Sequence, residues 1–122
     1  MLWVNDKPTE GALEIAALQD QGVTVRRAGS TTEAMQLLMS GRFHPDAIVT
    51  DMGRREEGEY RSNAGIILIE KIRNAGFNPA FVVYGSPKYQ HKNAAQAAQA
   101  KATAVSSSVE LFEVLGIEQK QS

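Results

Sequence analysis

Short apolar runs alternate along this chain with longer segments of helical period. Leu2-Trp3-Val4 is apolar and ends in the polar pair Asn5-Asp6. Residues 9–21 place Leu13, Ala16, Ala17 and Leu18 on one stripe, and Gly22 closes that segment as it would close a helix. Residues 23–25 alternate as a strand does. Ser30-Thr31-Thr32-Glu33 has the form of a capping box, followed by a helix carrying Ala34, Met35, Leu37 and Leu38 and stopped by Gly41. Residues 46–50 hold Ala47-Ile48-Val49 between Pro45 and Asp51, the continuous apolar pattern of a strand buried on both faces. Residues 52–64 are charged and without period, which predicts a long exposed loop. A helix over 65–75 sets Ile66, Ile69 and Ile72 on one face with Leu68 beside it. A buried strand over 80–84, an Ala/Gln-rich helix over 88–101, a short strand over 102–105 and a helix over 109–115 complete the pattern. The tail 118–122 is expected to fray, leaving one domain over 1–117.

Five strands alternating with five helices predict an α/β fold: a parallel sheet with helices on both faces and right-handed crossovers. In such a doubly wound sheet, ligands bind beyond the carboxyl ends of the strands. Asn5 and Asp6 follow the first strand, Asp51 the third, Gly85 and Ser86 the fourth, and residues 106–108 (all Ser) the fifth. Two carboxylates brought together there repel each other. Mg²⁺ relieves that repulsion, because it takes one or two carboxylates and keeps several waters. The competing account is that each Asp merely caps the turn that follows it.

Composition narrows the chemistry. The 122 residues suffice for one core, and 13 Lys+Arg against 14 Asp+Glu leave a net charge of −1, so direct nucleic-acid binding is not expected. With no Cys there is no disulfide, thiolate metal site or thiol nucleophile. No apolar run reaches the ~20 residues of a membrane span, and no signal peptide precedes the first strand, so the expected location is cytoplasmic. The abrupt start also suggests a segment of a longer chain. A Gly-rich phosphate loop, a GxSxG elbow and a His placed as a base are all missing, which argues against an enzyme.

The order of these segments resembles the receiver domain of bacterial response regulators. Leu-Trp-Val-Asn-Asp-Lys-Pro at 2–8 is similar to the receiver opening, and Ala-Gly-Ser-Thr-Thr-Glu-Ala-Met-Gln-Leu-Leu at 28–38 to the entry of its second helix. Pro-Asp-Ala-Ile-Val-Thr-Asp-Met at 45–52 resembles the third strand running into the phosphoacceptor, and Gly-Ile-Ile-Leu-Ile-Glu-Lys-Ile-Arg at 65–73 the third helix. The resemblance implies a (βα)5 flavodoxin-like fold with strand order 2-1-3-4-5 and a role in phosphorelay signalling. Asp51 would accept a phosphoryl group from a histidine kinase or phosphotransfer protein. Asp6, Asp51 and the backbone carbonyl of Gly53 would hold Mg²⁺, with Asn5 a weak or indirect contributor. Ser86 would be the switch hydroxyl, although counting from Pro79 admits Tyr84 or Gly85. The face of helix 4, strand 5 and helix 5 would serve an output domain or a homodimer.

The departures are specific. Asn5 stands where the family carries a first acidic residue, and the Lys expected after the last strand is missing from Ala-Val-Ser-Ser-Ser at 104–108. Lys101 comes too early to replace it. The loop after Asp51 is long and carries Arg54, Arg55 and Arg61. An Arg there could take the place of the Lys, since guanidinium matches phosphate well; the plainer account is a solvated surface loop. His91 reads as a surface helix residue or, less simply, a base; His44 as turn decoration; Trp3 as core. A pseudo-receiver that binds partners without phosphoryl chemistry is the alternative function.

Overall fold

The continuous apolar runs become parallel strands because each strand has a face to bury on both sides. The computed structural model describes residues 1–7 and 9–117; Pro8 of the receiver-like opening and the tail 118–122 lie outside the described residues. Strands β1 (Leu2–Val4), β2 (Arg26–Ala28), β3 (Ala47–Thr50), β6 (Ala80–Tyr84) and β7 (Thr103–Val105) form one sheet in the order β2-β1-β3-β6-β7, every pair parallel. Counted along this sheet alone, that is the expected order 2-1-3-4-5. Helices α1 (Ala12–Asp20), α2 (Thr31–Met39), α3 (Ala64–Asn74), α4 (Gln90–Gln99) and α5 (Ser108–Leu115) connect or follow the strands.

Within each apolar run, alternate residues serve opposite cores. Leu2, Val4, Ile48, Phe81 and Val83 face α2, α3 and α4, where they meet Leu38, Ile69 and Ala97. Trp3, Val49 and Val82 face α1 and α5, where they meet Ile15, Leu18, Leu111 and Phe112. Trp3 is 3% exposed, as expected of a core residue, and packs edge-on to Tyr84 with ring centroids 6.0 Å apart.

Three local expectations need correction. The buried stripe of α1 is Ile15 and Leu18, while Leu13 is 84% exposed. The helix begins at Ala12, behind the left-handed Gly11, so its phase is set by packing on Trp3 rather than by the nearest apolar residues. The second strand is Arg26–Ala28, not 23–25: pairing with β1 fixes its register, and Val23 and Val25 pack against the core just before it. The third correction concerns residues 52–64. They are not simply an exposed loop, because β4 (Arg54–Glu56) and β5 (Glu59–Arg61) pair as an antiparallel hairpin. Glu57 and Gly58 turn it with φ of 53° and 84°, the two positive values that a two-residue hairpin turn requires.

The capping box at 30–33 forms with a shift. Ser30 Oγ accepts from Glu33 N–H at 3.1 Å, but the Glu33 carboxylate reaches back to Gly29 N–H at 2.7 Å rather than to Ser30.

Candidate functional site

Asp51 ends the central strand β3, and its N–H donates to Val4 O on the neighbouring strand. The close packing of α3 fixes the backbone here: Gly65 N–H donates to Met52 O at 2.8 Å, and any Cβ on residue 65 would run into the Asp51 carbonyl. Only glycine fits.

The hairpin alternates buried, exposed, buried across residues 54–56, so Arg54 and Glu56 point inward and Arg55 outward. The Arg54 side chain has no exposure at all, against 12% for Asp51. Arg54 Nη1 donates to Asp51 Oδ1 at 2.6 Å and to Thr50 Oγ1 at 2.9 Å. Its Nε donates to Glu56 Oε1 at 2.5 Å, and Nη2 donates to Thr31 Oγ1 at 2.7 Å and to Ala64 O at 3.4 Å. Glu56 in turn accepts from Thr31 N–H and Oγ1 at the start of α2. One guanidinium thus ties the end of β3 to α2, α3 and the hairpin. Charge-assisted hydrogen bonds of this kind are the strong ones.

The electrostatics follow from this geometry. Burial raises the Asp51 carboxyl to about 6; Arg54 opposes that rise by charge and hydrogen bond, while Asp6 and Glu10 add to it by repulsion. Burial acts the same way on Glu56, but the hydrogen bonds from Thr31 and Arg54 prevail and hold it below the ordinary Glu value.

A cleft of about 370 Å³ opens beside Asp51. Glu10, Gly53, Tyr60, Tyr84, Gly85, Ser86 and the α4 residues Lys92, Asn93 and Gln96 line it with Asp51. Of the expected site residues, Asp51, Gly53 and Ser86 therefore share one cleft. Asp6 is close enough to act on Asp51, and its Oδ2 accepts from Arg55 N–H at 3.1 Å. Asn5 is held in a local turn: Oδ1 accepts from Lys7 N–H at 2.8 Å, and Nδ2 donates to Glu10 Oε2 at 3.1 Å. Glu10 thereby supplies a second negative charge near the position that Asn5 leaves neutral. No periodic or turn signal singled it out; its place depends on the fold of residues 5–11.

Other candidates are engaged elsewhere. Ser86 Oγ accepts from Lys88 N–H at the start of a 3₁₀ turn, Pro87–Tyr89. The Tyr84 hydroxyl donates to Glu14 at 3.4 Å. Ser106 and Ser107 both donate to Glu110 at 3.2 Å, and Ser107 caps α5, so these hydroxyls do not line the cleft. Lys101 is exposed and outside it, as is His91. His44 contacts Gly41 O, an ordinary turn contact. Arg61 pairs with Glu59 at the surface.

The donor chemistry suits Mg²⁺. Asp6 and Asp51 are hard carboxylates; burial chiefly raises Asp51, repulsion from Asp6 adds to the rise, and Arg54 occupies only Oδ1 of Asp51 among the described bonds. No cluster of three or more His, Cys, Asp or Glu side chains is placed to hold a metal among the described residues. Mg²⁺ takes one or two carboxylates and fills its remaining positions with water.

No family model and no curated protein matches the sequence. Solved structures do match the fold. The response regulator TrrA from Thermotoga maritima, in complex with Mg²⁺-BeF, is similar with a TM-score of 0.66 at 21% identity, over 94% of this chain and 91% of that one. A response regulator receiver protein from Burkholderia phymatum gives 0.73 at 18% identity, over 98% and 97%. One from Pseudoalteromonas atlantica gives 0.74 at 18% identity, over 94% and 92%. The chain has the fold of response regulator receiver domains.

Proposed function

We propose that this chain is a receiver-type signalling module in which Asp51 accepts a phosphoryl group from the phosphohistidine of a histidine kinase or phosphotransfer protein. The carrying observation is the placement of Asp51: it ends the central strand at the mouth of a cleft, with one oxygen held by Arg54 and no described hydrogen bond on the other. That second oxygen, Oδ2, is the nucleophile. It forms the O–P bond as the P–N bond of the donor breaks and the imidazole nitrogen keeps the electron pair. Ionised Asp51 is needed, so the reaction is favoured above about pH 6.

Arg54 orients the carboxylate and supplies the positive charge that the absent Lys would supply. Asp6, Asp51 and the Gly53 carbonyl are the groups that would hold Mg²⁺, which when bound offsets charge on the transferring phosphoryl group. Ser86 lines the same cleft and is the candidate switch hydroxyl, although its Oγ caps the following turn. Output would run through the face of α4, β7 and α5, to another domain or a second copy. Among the described residues no helix is long and apolar enough to cross a membrane, and a cytoplasmic location belongs to this proposal.

A second reading has its own observation. Arg54 already gives Asp51 a buried counter-charge, which suits a pseudo-receiver that binds partners without phosphorylation. Intact mass separates the two. After treatment with Mg²⁺ and a small phosphoramidate or acyl phosphate donor, wild type should gain one phosphoryl group and Asp51→Asn none. No gain in wild type, with amide spectra unmoved by beryllofluoride and Mg²⁺, would leave the binding module.

A further inference from the structure

Asn93 on α4 is 5% exposed, yet its side chain makes no hydrogen bond within the described residues. Its amide atoms are not among the fully enclosed unpaired ones, so they are reached from the cleft that the residue lines. Its position is specific. The Nδ2 end lies in the space that Gly85 leaves open, where a Cβ on residue 85 would stand 2.5 Å away. Gly85, Asn93 and Asp51 line the same cleft, and Lys92 lines it as well. One turn further along α4, Gln96 Oε1 is buried without a partner among the described residues.

A phosphoryl group on Asp51 would bring three acceptor oxygens and about −2 charge into this space. Donors must meet it there. Of the hydroxyls that line the cleft, Tyr84 donates to Glu14, whereas Ser86 Oγ accepts from Lys88 N–H and keeps its own O–H, as do Tyr60, Ser62 and Tyr89, which make no described side-chain hydrogen bond. Arg54 holds Oδ1 from the buried side and is shared with Glu56 and Thr31. Asn93 Nδ2 carries two N–H donors, and Lys92 carries a cationic one on the same wall.

We propose that Asn93, with Lys92 beside it on α4, is a group that receives the oxygens of a phosphoryl group carried on Asp51. This rests on the reading of Asp51 as phosphoacceptor. It assigns α4 a direct contact with the modified site, through a side chain that is unpaired while Asp51 is unmodified.

The test is an amide NMR titration with beryllofluoride and Mg²⁺ on wild type, Asn93→Leu and Gly85→Ala, with thermal midpoints measured alongside. Asn93→Leu should weaken beryllofluoride binding by about tenfold, the worth of a hydrogen bond to a charged group. Gly85→Ala should do the same, because its Cβ displaces Nδ2. The thermal midpoint of Asn93→Leu should equal or exceed that of wild type, since no internal hydrogen bond is lost. Binding by wild type and Asn93→Leu within about twofold of each other overturns this inference alone. A loss of binding accompanied by a fall in thermal midpoint assigns Asn93 to packing and overturns it too. Wild type that takes no beryllofluoride overturns the phosphoacceptor reading, and this inference with it.

Discussion

The two walls of the Asp51 cleft are built on opposite principles. On the hairpin side the buried charges are matched: Arg54 makes hydrogen bonds to Asp51, Thr50, Glu56, Thr31 and Ala64 with no exposure of its side chain. On the α4 side, Gln90 Oε1 and Gln96 Oε1 are buried with no partner among the described residues, the Asn93 side chain makes no described hydrogen bond, and Lys92 is exposed. A saturated network fixes one geometry, because removing any member strands another. An unsaturated wall costs stability until something fills it. The contrast teaches that the hairpin holds Asp51 in place, whereas under the proposed function α4 is the side left to respond to a group on Asp51.

Breaking the saturated wall should have the largest effect. Arg54→Met leaves Glu56 buried without its cation and should destabilise the fold by about 3–5 kcal/mol in denaturant unfolding. Arg54→Met with Glu56→Gln should recover much of that loss, because the stranded charge is gone. If the single variant unfolds like wild type, the network is not structural.

Asp51 itself supplies the next test. Its carboxyl is raised to about 6 in the fold, so the folded state holds the proton more tightly than the unfolded chain. The stability that Asp51 contributes is therefore full below its ordinary value near 4 and is lost as pH rises through 6. Asp51→Asn, still able to accept from Arg54, should be more stable than wild type at pH 8 by about 1–3 kcal/mol. Unfolding in chelator across pH 4–8 should show that gap closing on acidification. A gap independent of pH would remove burial as its cause.

The smallest effect belongs to the open wall. Gln96→Leu removes a buried unpaired carbonyl oxygen and should change stability by about 0 to +1 kcal/mol, measured by thermal unfolding. A clear loss would mean that Gln96 has a structural partner, and the contrast between the walls would narrow.

Much of this molecule was legible in the residue pattern. Ala47-Ile48-Val49 bounded by Pro45 and Asp51 read as a two-sided strand, and the strand and helix alternation implied a parallel sheet. The sheet then carried Asp51, Gly53 and Ser86 to one cleft, since position at a strand's carboxyl end follows from topology. The Lys missing after β7 and the Asn at position 5 were visible as plain absences of charge.

Other features depended on partners distant in the chain. Arg54 and Glu56 looked like loop charges because burying them is prohibitive unless Asp51, Thr31 and Thr50 converge on them, and no local window contains that convergence. Glu10 became part of the site only through the turn that ties it to Asn5. Asn93 sat in an Ala/Gln-rich helix whose polar face gave no sign of a cleft beneath it. Local periodicity thus determined the sheet and the place of Asp51, while the tertiary structure alone decided the charge environment of Asp51, because Coulomb and desolvation terms depend on distances that only the packed chain sets.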